Sequence, residues 1–329
     1  MYFPWFLGQI CARWRLVFLS MSTHFWGNIA ISFFGGTAHP GLFKRAWDML
    51  NFCLKNSEEC QCPLSFSFGT GGSYYKKYSY VIDILDALLA RSMRWVAASL
   101  VVNATEVRRL HCIKGRTPLL KSLTVANSGS WEWENLFTPT HPEFIDAFED
   151  SPSLMDLNLY MPIKGWKFHW SSIVVLWLGL ENTENLAVAL SQSTRLERLE
   201  VEWRGVSTDL DSVPIDAAQS MITLSSLKKM RLPWNVLNML EVLTAPRLEH
   251  LFVRFGHSNL YDAAGIVAAF LRRSSCPLGR LELDAASPAA ITEILSVVPG
   301  LPSQRSVSTI TETSSTRRLV VISPRVYSD

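Results

Sequence analysis

Charge is scarce in this chain, and what there is nearly cancels: 18% of residues are charged and the formal net charge is +2. No basic stripe and no acidic tail stands out, which argues against nucleic acid as a partner. Cysteine spacing is as uninformative. Cys11, Cys53, Cys60, Cys62, Cys112 and Cys276 are scattered, and the one close pair, Cys60-x-Cys62, has no second pair at metal-ligand spacing. These read as free thiols in a reducing compartment. The seven histidines fall in no metal or triad spacing. Gly69-Thr70-Gly71-Gly72 lacks the Lys-Ser/Thr of a phosphate-binding loop and reads as a flexible loop. No nucleophile with its base can be picked out, so the sequence points to no enzyme, no metal and no cofactor.

A membrane-length apolar run is also missing, although 48% of residues are hydrophobic. Leu16 to Phe43 contains no Asp, Glu, Lys or Arg, yet Ser20, Ser22, Thr23, His24 and Asn28 sit at its centre and Gly35, Gly36 and Pro40 break it further. Polar groups there are costly in lipid. Arg13 and Arg15 interrupt the run that a signal peptide would need. The expectation is a soluble protein of the cytoplasm or nucleus, with no membrane partner.

What the chain does have is one short pattern, Leu-x-x-Leu-x-Leu, seven times over. It reads Leu120, Leu123, Val125; Leu154, Leu157, Leu159; Ile173, Leu176, Leu178; and Leu196, Leu199, Val201. It continues as Leu227, Met230, Leu232; Leu248, Leu251, Val253; and Leu278, Leu281, Leu283. The last two positions are two apart, so both face one side of a strand, and the first anchors the chain as it enters that strand. Leu199 and Leu251 should therefore be buried. Glu200 should point outward, its truncation costing no more than about 0.5 kcal/mol. Recurrence of this kind announces a solenoid, whose copies bury together a core that no single copy could bury.

Between the strand motifs lie stretches of helical spacing. Phe43 to Leu54 and Tyr80 to Leu89 are the clearest; Glu143 to Phe148, Glu184 to Leu190, Val236 to Leu243, Tyr261 to Arg272 and Pro288 to Val297 follow. The last begins with Ser287 as cap and Pro288 as first helical residue. Trp26 to Phe33, Leu64 to Phe68 and Trp95 to Val101 read as less regular strands. Pro118, Pro152, Pro246 and Pro277 stand just before strands, where proline separates helix from strand. Motif starts are separated by 34, 19, 23, 31, 21 and 30 residues. A regular repeat also carries Asn or Cys three residues after its last leucine. Here that position holds Ser128, Pro162, Glu181, Arg204, Asn235, Gly256 and Ala286, so only Asn235 conforms and the asparagine ladder is missing. The expected fold is α/β: an irregular leucine-rich-repeat-like solenoid with a mostly parallel sheet, preceded by a small helical element. Its expected parts are residues 1–30, the solenoid over 31–301, and a tail over 302–329. Nine of the fourteen residues from Ser303 to Thr316 are Ser or Thr, which reads as flexible, with Leu319 to Ile322 as a capping strand.

The N-terminal element carries Pro4, Trp5, Leu7, Ile10, Cys11, Trp14, Arg15, Phe25, Trp26 and Ile29. This pattern resembles the second half of an F-box, in the form that precedes leucine-rich repeats in proteins expanded in mushroom-forming fungi. The likeness continues in Cys62 to Phe66, Arg94-Trp95, Thr244 to Leu251 and Arg272 to Leu283, and so covers the chain up to about Leu301. The resemblance implies a substrate-recognition subunit of a cullin-based ubiquitin ligase. Pro4, Trp5, Leu7, Ile10, Cys11, Trp14 and Trp26 would form the F-box core or touch the ligase adaptor, and the repeats would hold an unidentified target protein. The family's opening Leu-Pro-x-Glu helix has no counterpart here, so adaptor binding is expected to be weak or lost. A repeat scaffold without a ligase connection is the alternative.

Other residues read more plainly. His250 lies on a strand's outward face, and His169 and Trp170 precede a strand and pack its entrance. Glu132, Glu134, Glu143, Asp146, Glu149 and Asp150 form either a solvated face or an acidic surface for a basic partner.

Overall fold

The computed structural model describes residues 26–33, 40–59, 61–70, 79–128, 144–161, 163, 165–180, 186–203, 221–255, 260–284, 286–297, 308–311 and 318–322. The chain divides into two compact units: Met1–Leu154 with Gly165–Phe168, and Met155–Lys164 with His169–Asp329. Both are α/β, each with a sheet of parallel strands.

In the first unit four parallel strands stand in chain order: β1 (Asn28–Phe33), β2 (Leu64–Thr70), β3 (Trp95–Val102) and β4 (Ser122–Asn127). Parallel neighbours need a crossover, and the helices α1 (Pro40–Glu59) and α2 (Ser79–Leu89) supply the first two. A short helix, α3 (Ala104–Arg109), follows β3. It begins on a capping box in which Asn103 accepts from the amides of Thr105 and Glu106 while Glu106 accepts from the Asn103 amide. Helical spacing had not marked it, because six residues are too few to show a period. The apolar faces meet as their spacing requires. Phe43, Leu50 and Leu54 of α1, Ile84, Leu85 and Leu88 of α2, and Phe66, Phe68, Leu100, Leu123 and Val125 of the strands are all buried. Trp95 packs edge-on against Phe66 at 4.7 Å and donates its indole N–H to the Leu88 carbonyl at 3.2 Å.

Arg94 ties the end of α1 to the start of β2. Its Nη2 donates to the Ser57 carbonyl at 2.7 Å and its Nε to the Cys62 carbonyl at 2.8 Å. Between these acceptors Gln61 takes a left-handed φ of 50°, and the Cys62 amide returns to Ser57 O at 2.9 Å, closing the helix end.

Residues 145–148 overturn one expectation. Instead of a helix over Glu143 to Phe148, β5 (Ile145–Phe148) pairs in parallel with β7 (Trp166–Phe168). Phe144, Ile145, Ala147 and Phe148 fit a helical face on spacing alone. The partner strand decided otherwise, stacking Trp166 and Phe168 at 5.4 Å and bringing both rings within 6.4 Å of Phe148.

The second unit carries six parallel strands in the order β6 (Asp156–Tyr160), β8 (Val175–Leu180), β9 (Arg198–Trp203), β11 (Lys229–Pro233), β13 (His250–Arg254) and β14 (Arg280–Asp284). Their register places Leu157, Leu176, Leu199, Met230, Leu251 and Leu281 in one row, all buried. Beyond β14 comes β16 (Arg318–Ile322), antiparallel to it, and then β15 (Ser308–Thr311), antiparallel to β16. The expected capping strand is therefore present, and a strand also runs through the Ser/Thr-rich stretch, where composition had suggested a flexible chain. Ladder bonds along the β16 backbone stabilise β15 without needing a packed side chain.

The crossovers are α4 (Leu186–Gln192), a 3-10 segment (Trp234–Val242) leading to β12 (Leu243–Thr244), and α5 (Leu260–Ser274), with α6 (Pro288–Ser296) after β14. The short strand β10 (Ile222–Thr223) pairs with β12. Helix α6 starts as its sequence suggests: Ser287 Oγ accepts from the Ala290 amide at 3.2 Å and Pro288 is the first helical residue. No helix among the described residues is long and apolar enough to cross a membrane.

Two recurring backbone features hold the copies. The amide of the first apolar motif residue donates to the carbonyl three residues earlier in Leu120, Leu154, Ile173, Leu196, Leu227 and Leu248, at 3.1–3.3 Å. These six copies thus enter their strands from the same turn, while the Leu278 amide donates to Cys276 O at 2.9 Å. Next, one carbonyl per copy accepts two successive amides of the following copy. Met155 O accepts from Val174 and Val175, Val174 O from Glu197 and Arg198, and Glu197 O from Lys228 and Lys229. Lys228 O likewise takes Glu249 and His250, and Glu249 O takes Gly279 and Arg280, all at 2.8–3.1 Å. These backbone bonds join each of these strand entrances to the next. Asn235, the one residue at the ladder position, makes no such bond, and both its amide atoms are shielded without a hydrogen-bond partner.

Candidate functional site

The side of the second unit's sheet opposite its leucine row presents every second strand residue to the surface. Register sets these residues in rows. Arg198, Lys229, His250 and Arg280 lie side by side on four adjacent strands. One step along come Trp177, Glu200, Arg231, Phe252 and Glu282. At the strand ends Pro233, Arg254 and Asp284 form a third row.

Acids and bases on this face are placed at different depths. Glu200, Glu282 and Asp284 are sunk, their side chains 13, 12 and 10% exposed. Each is covered by a cation. Arg198 Nε donates to Glu200 Oε1 at 2.6 Å, His250 Nε2 lies 3.1 Å and Arg280 Nε 2.5 Å from Glu282 Oε1, and Arg254 Nε donates to Asp284 Oδ2 at 3.0 Å. The arginines stay open, at 52, 45 and 53% for Arg198, Arg254 and Arg280. Glu200 does face outward, but as a half-buried, paired carboxylate rather than the free surface acid its position suggested. Lys229 and Arg231 are exposed and have no carboxylate partner among the described residues; Arg231 instead sits over the Phe252 ring at 4.3 Å. Trp177, 39% exposed, leans against Tyr160 at 6.1 Å. Two shallow depressions of about 310 and 260 Å³ open here, the first bounded by Trp177, Arg231, Trp234, Asn235 and Arg254, the second by Arg198, Lys229, His250 and Glu282. An exposed Trp177 and a half-buried Phe252 beside open arginines are the composition that binding surfaces favour.

The corresponding face of the first unit differs in kind. Its rows read Asn28, Ser65, Ala97, Ser122 and Ala30, Ser67, Ser99, Thr124, small residues without charge. Among the described residues these rows carry no charge and no ring.

Of the F-box-like residues, Pro4, Trp5, Leu7, Ile10, Cys11 and Trp14 lie outside the described residues. Trp26 is described and buried, packed edge-on at 5.5 Å from Phe52 of α1, so it belongs to the core. His250 is on the outward face as its motif position indicates. Trp170 is buried ahead of β8, whereas the His169 side chain is exposed and only its backbone carbonyl closes the turn, accepting from the Ser172 amide at 3.0 Å. Cys62 is buried and Cys60 is undescribed; Gly69 and Thr70 end β2. Among the described residues no three His, Cys, Asp or Glu side chains stand close enough together to hold a metal ion.

The acidic group resolves into a clasp. Lys114 Nζ donates to Asp146 Oδ2 at 2.6 Å and to Glu149 Oε2 at 3.1 Å, and His111 Nδ1 is 2.9 Å from Asp146 Oδ1. The hydrogen bond from Lys114, above all, holds the Asp146 carboxyl below its ordinary value, while the same contact raises Lys114 to about 12. These two acids are spoken for, and Glu132, Glu134 and Glu143 lie outside the described residues.

Sequence reasoning missed a buried polar feature at the motif turns. Thr117, Ser151 and Ser193 each stand three residues before a motif leucine and are fully buried. Thr117 and Ser151 share a hydrogen bond of 2.6 Å, and Ser193 donates to the Ala189 carbonyl at 2.8 Å. The signal was legible: Ser or Thr stands at that offset in four of the copies, the fourth being the exposed Ser275 before Leu278. Compared with known proteins, the chain matches no family model and no curated sequence.

Proposed function

We propose that this chain is a non-catalytic protein-binding receptor built as an irregular leucine-rich-repeat solenoid, serving as an F-box-type substrate-recognition subunit of a cullin-based ubiquitin ligase. The observation that carries the binding reading is the face of β8, β9, β11, β13 and β14, where open arginines and the exposed Trp177 stand beside sunken, paired acids. The in-register leucine row and the copy-to-copy backbone ladder support the solenoid. The ligase connection rests on the resemblance carried by Pro4 to Ile29 and the downstream segments. In this reading the F-box portion engages the adaptor, the repeats hold the target, and the complex works in the cytoplasm or nucleus.

Calorimetric titration of the full chain with the ligase adaptor tests the connection. Weak binding that Trp14→Ala removes, with the far-UV circular dichroism of the repeats unchanged, is the expected result. No heat of binding at any workable concentration refutes the ligase reading and leaves the scaffold.

A further inference from the structure

Five cations stand on the open face of the second unit with three carboxylates lodged beneath them, and the difference in depth decides what a partner meets. Glu200, Glu282 and Asp284 each have a cation within hydrogen-bond reach, so a docking chain finds their charge already answered. Lys229 and Arg231 are answered by no acid among the described residues, and their neighbours across the strands, Arg198 and Arg280, keep half their surface in water. Neighbouring strands are about 4.8 Å apart, so the row from Arg198 to Arg280 offers positive charge over roughly 14 Å. Two further acids stand outside that row: Asp156, on β6, accepts from Asn158 at 3.3 Å, and the exposed Glu202, at the far end of β9, lines the first depression with Arg231 and Arg254.

We infer that this face docks an acidic, extended segment of a partner protein, whose carboxylates pair with Lys229 and Arg231 and are flanked by Arg198 and Arg280. The inference rests on the protein-binding reading and adds the chemistry of the partner. Although the whole chain is nearly neutral, the row from Arg198 to Arg280 meets a partner as positive charge, because Glu200, Glu282 and Asp284 lie sunk beneath it. Trp177 and Phe252 border the row and accept the apolar stems between carboxylates.

The test is fluorescence anisotropy of a dye-labelled alternating Glu-Thr peptide titrated with the full chain, beside Gln-Thr and Lys-Thr peptides of equal length. The Glu peptide should bind at least about tenfold tighter than the others at low ionic strength, and the preference should fade as salt is raised to about 0.5 M. Lys229→Thr with Arg231→Thr, which suit a strand, should weaken Glu-peptide binding about tenfold, whereas Lys55→Ala on α1 should leave it within about twofold. Lys229→Glu with Arg231→Glu should turn the preference to the Lys peptide, provided the thermal midpoint is kept. Equal binding of all three peptides, or Glu-peptide binding indifferent to residues 229 and 231, overturns the inference. Gln-peptide or Lys-peptide binding that does depend on residues 229 and 231 also overturns it, but leaves the binding face standing. Adaptor binding is read separately, so failure here is distinguishable from failure of the ligase reading.

Discussion

Leu199→Ala probes the stack at its centre. Leu199 is fully buried, and register sets it between Leu176 on β8 and Met230 on β11. The substitution removes three carbon groups, worth about 0.8 kcal/mol each, or about 2.4 kcal/mol of transfer energy. Strands on both sides are pinned by the backbone ladder and cannot close in, so a cavity term of about 1 kcal/mol adds to this. Met230, unbranched and flexible, fills part of the space, which brings the expected loss to about 3 kcal/mol. Lys229→Ala, exposed and unpaired on the adjacent strand, should change stability by no more than about 0.5 kcal/mol. Glu200→Ala falls between, at about 0.5–1 kcal/mol, since it strips Arg198 of its acceptor. Urea unfolding followed by far-UV circular dichroism, with slopes compared, gives all three values. A loss under about 1 kcal/mol for Leu199→Ala, or one equal to that of Lys229→Ala, would refute the strand register.

Leu251→Ala should cost on the order of 2–5 kcal/mol by the same measurement, because its register neighbours Met230 and Leu281 are equally enclosed. Thr117→Val should destabilise by about 1–3 kcal/mol by stranding the Ser151 hydroxyl, and adding Ser151→Ala should restore part of it; strict additivity in the double-mutant cycle would show the pair to be uncoupled. The depressed Asp146 carboxyl contributes stability that is full above its ordinary value near 4 and lost as pH falls through its lower folded value, so Asp146→Asn should flatten the acid limb of a stability profile; an unchanged limb below about pH 4 contradicts the clasp. Burial pushes the Cys53 thiol up to about 11, whereas Cys112 is exposed on the 3-10 turn after α3; peptide mapping after brief alkylation should find Cys112 modified and Cys53 protected until unfolding.

Much of the strand pattern was written in the sequence. Two apolar residues spaced by two, led by a third, can bury one face only as a strand, which is why β4, β6, β8, β9, β11, β13 and β14 appear where the motif sets them. Ser287-Pro288 carried enough local chemistry to place the start of α6. Residues 144–148 show where such reasoning ends. Phe144, Ile145, Ala147 and Phe148 satisfy a helix and a strand about equally, and Trp166 and Phe168, remote in the chain, settled the matter by stacking. The sequence also showed that the asparagine ladder was absent. It had no means of showing that paired backbone amides join one strand entrance to the next, since every residue carries an amide and a carbonyl. The binding face belongs to the tertiary structure for a related reason. Arg198, Lys229, His250 and Arg280 are far apart in the chain and become a row only through parallel register. Whether a carboxylate is sunk or offered depends on what packs above it, and no count of charges along the chain contains that depth.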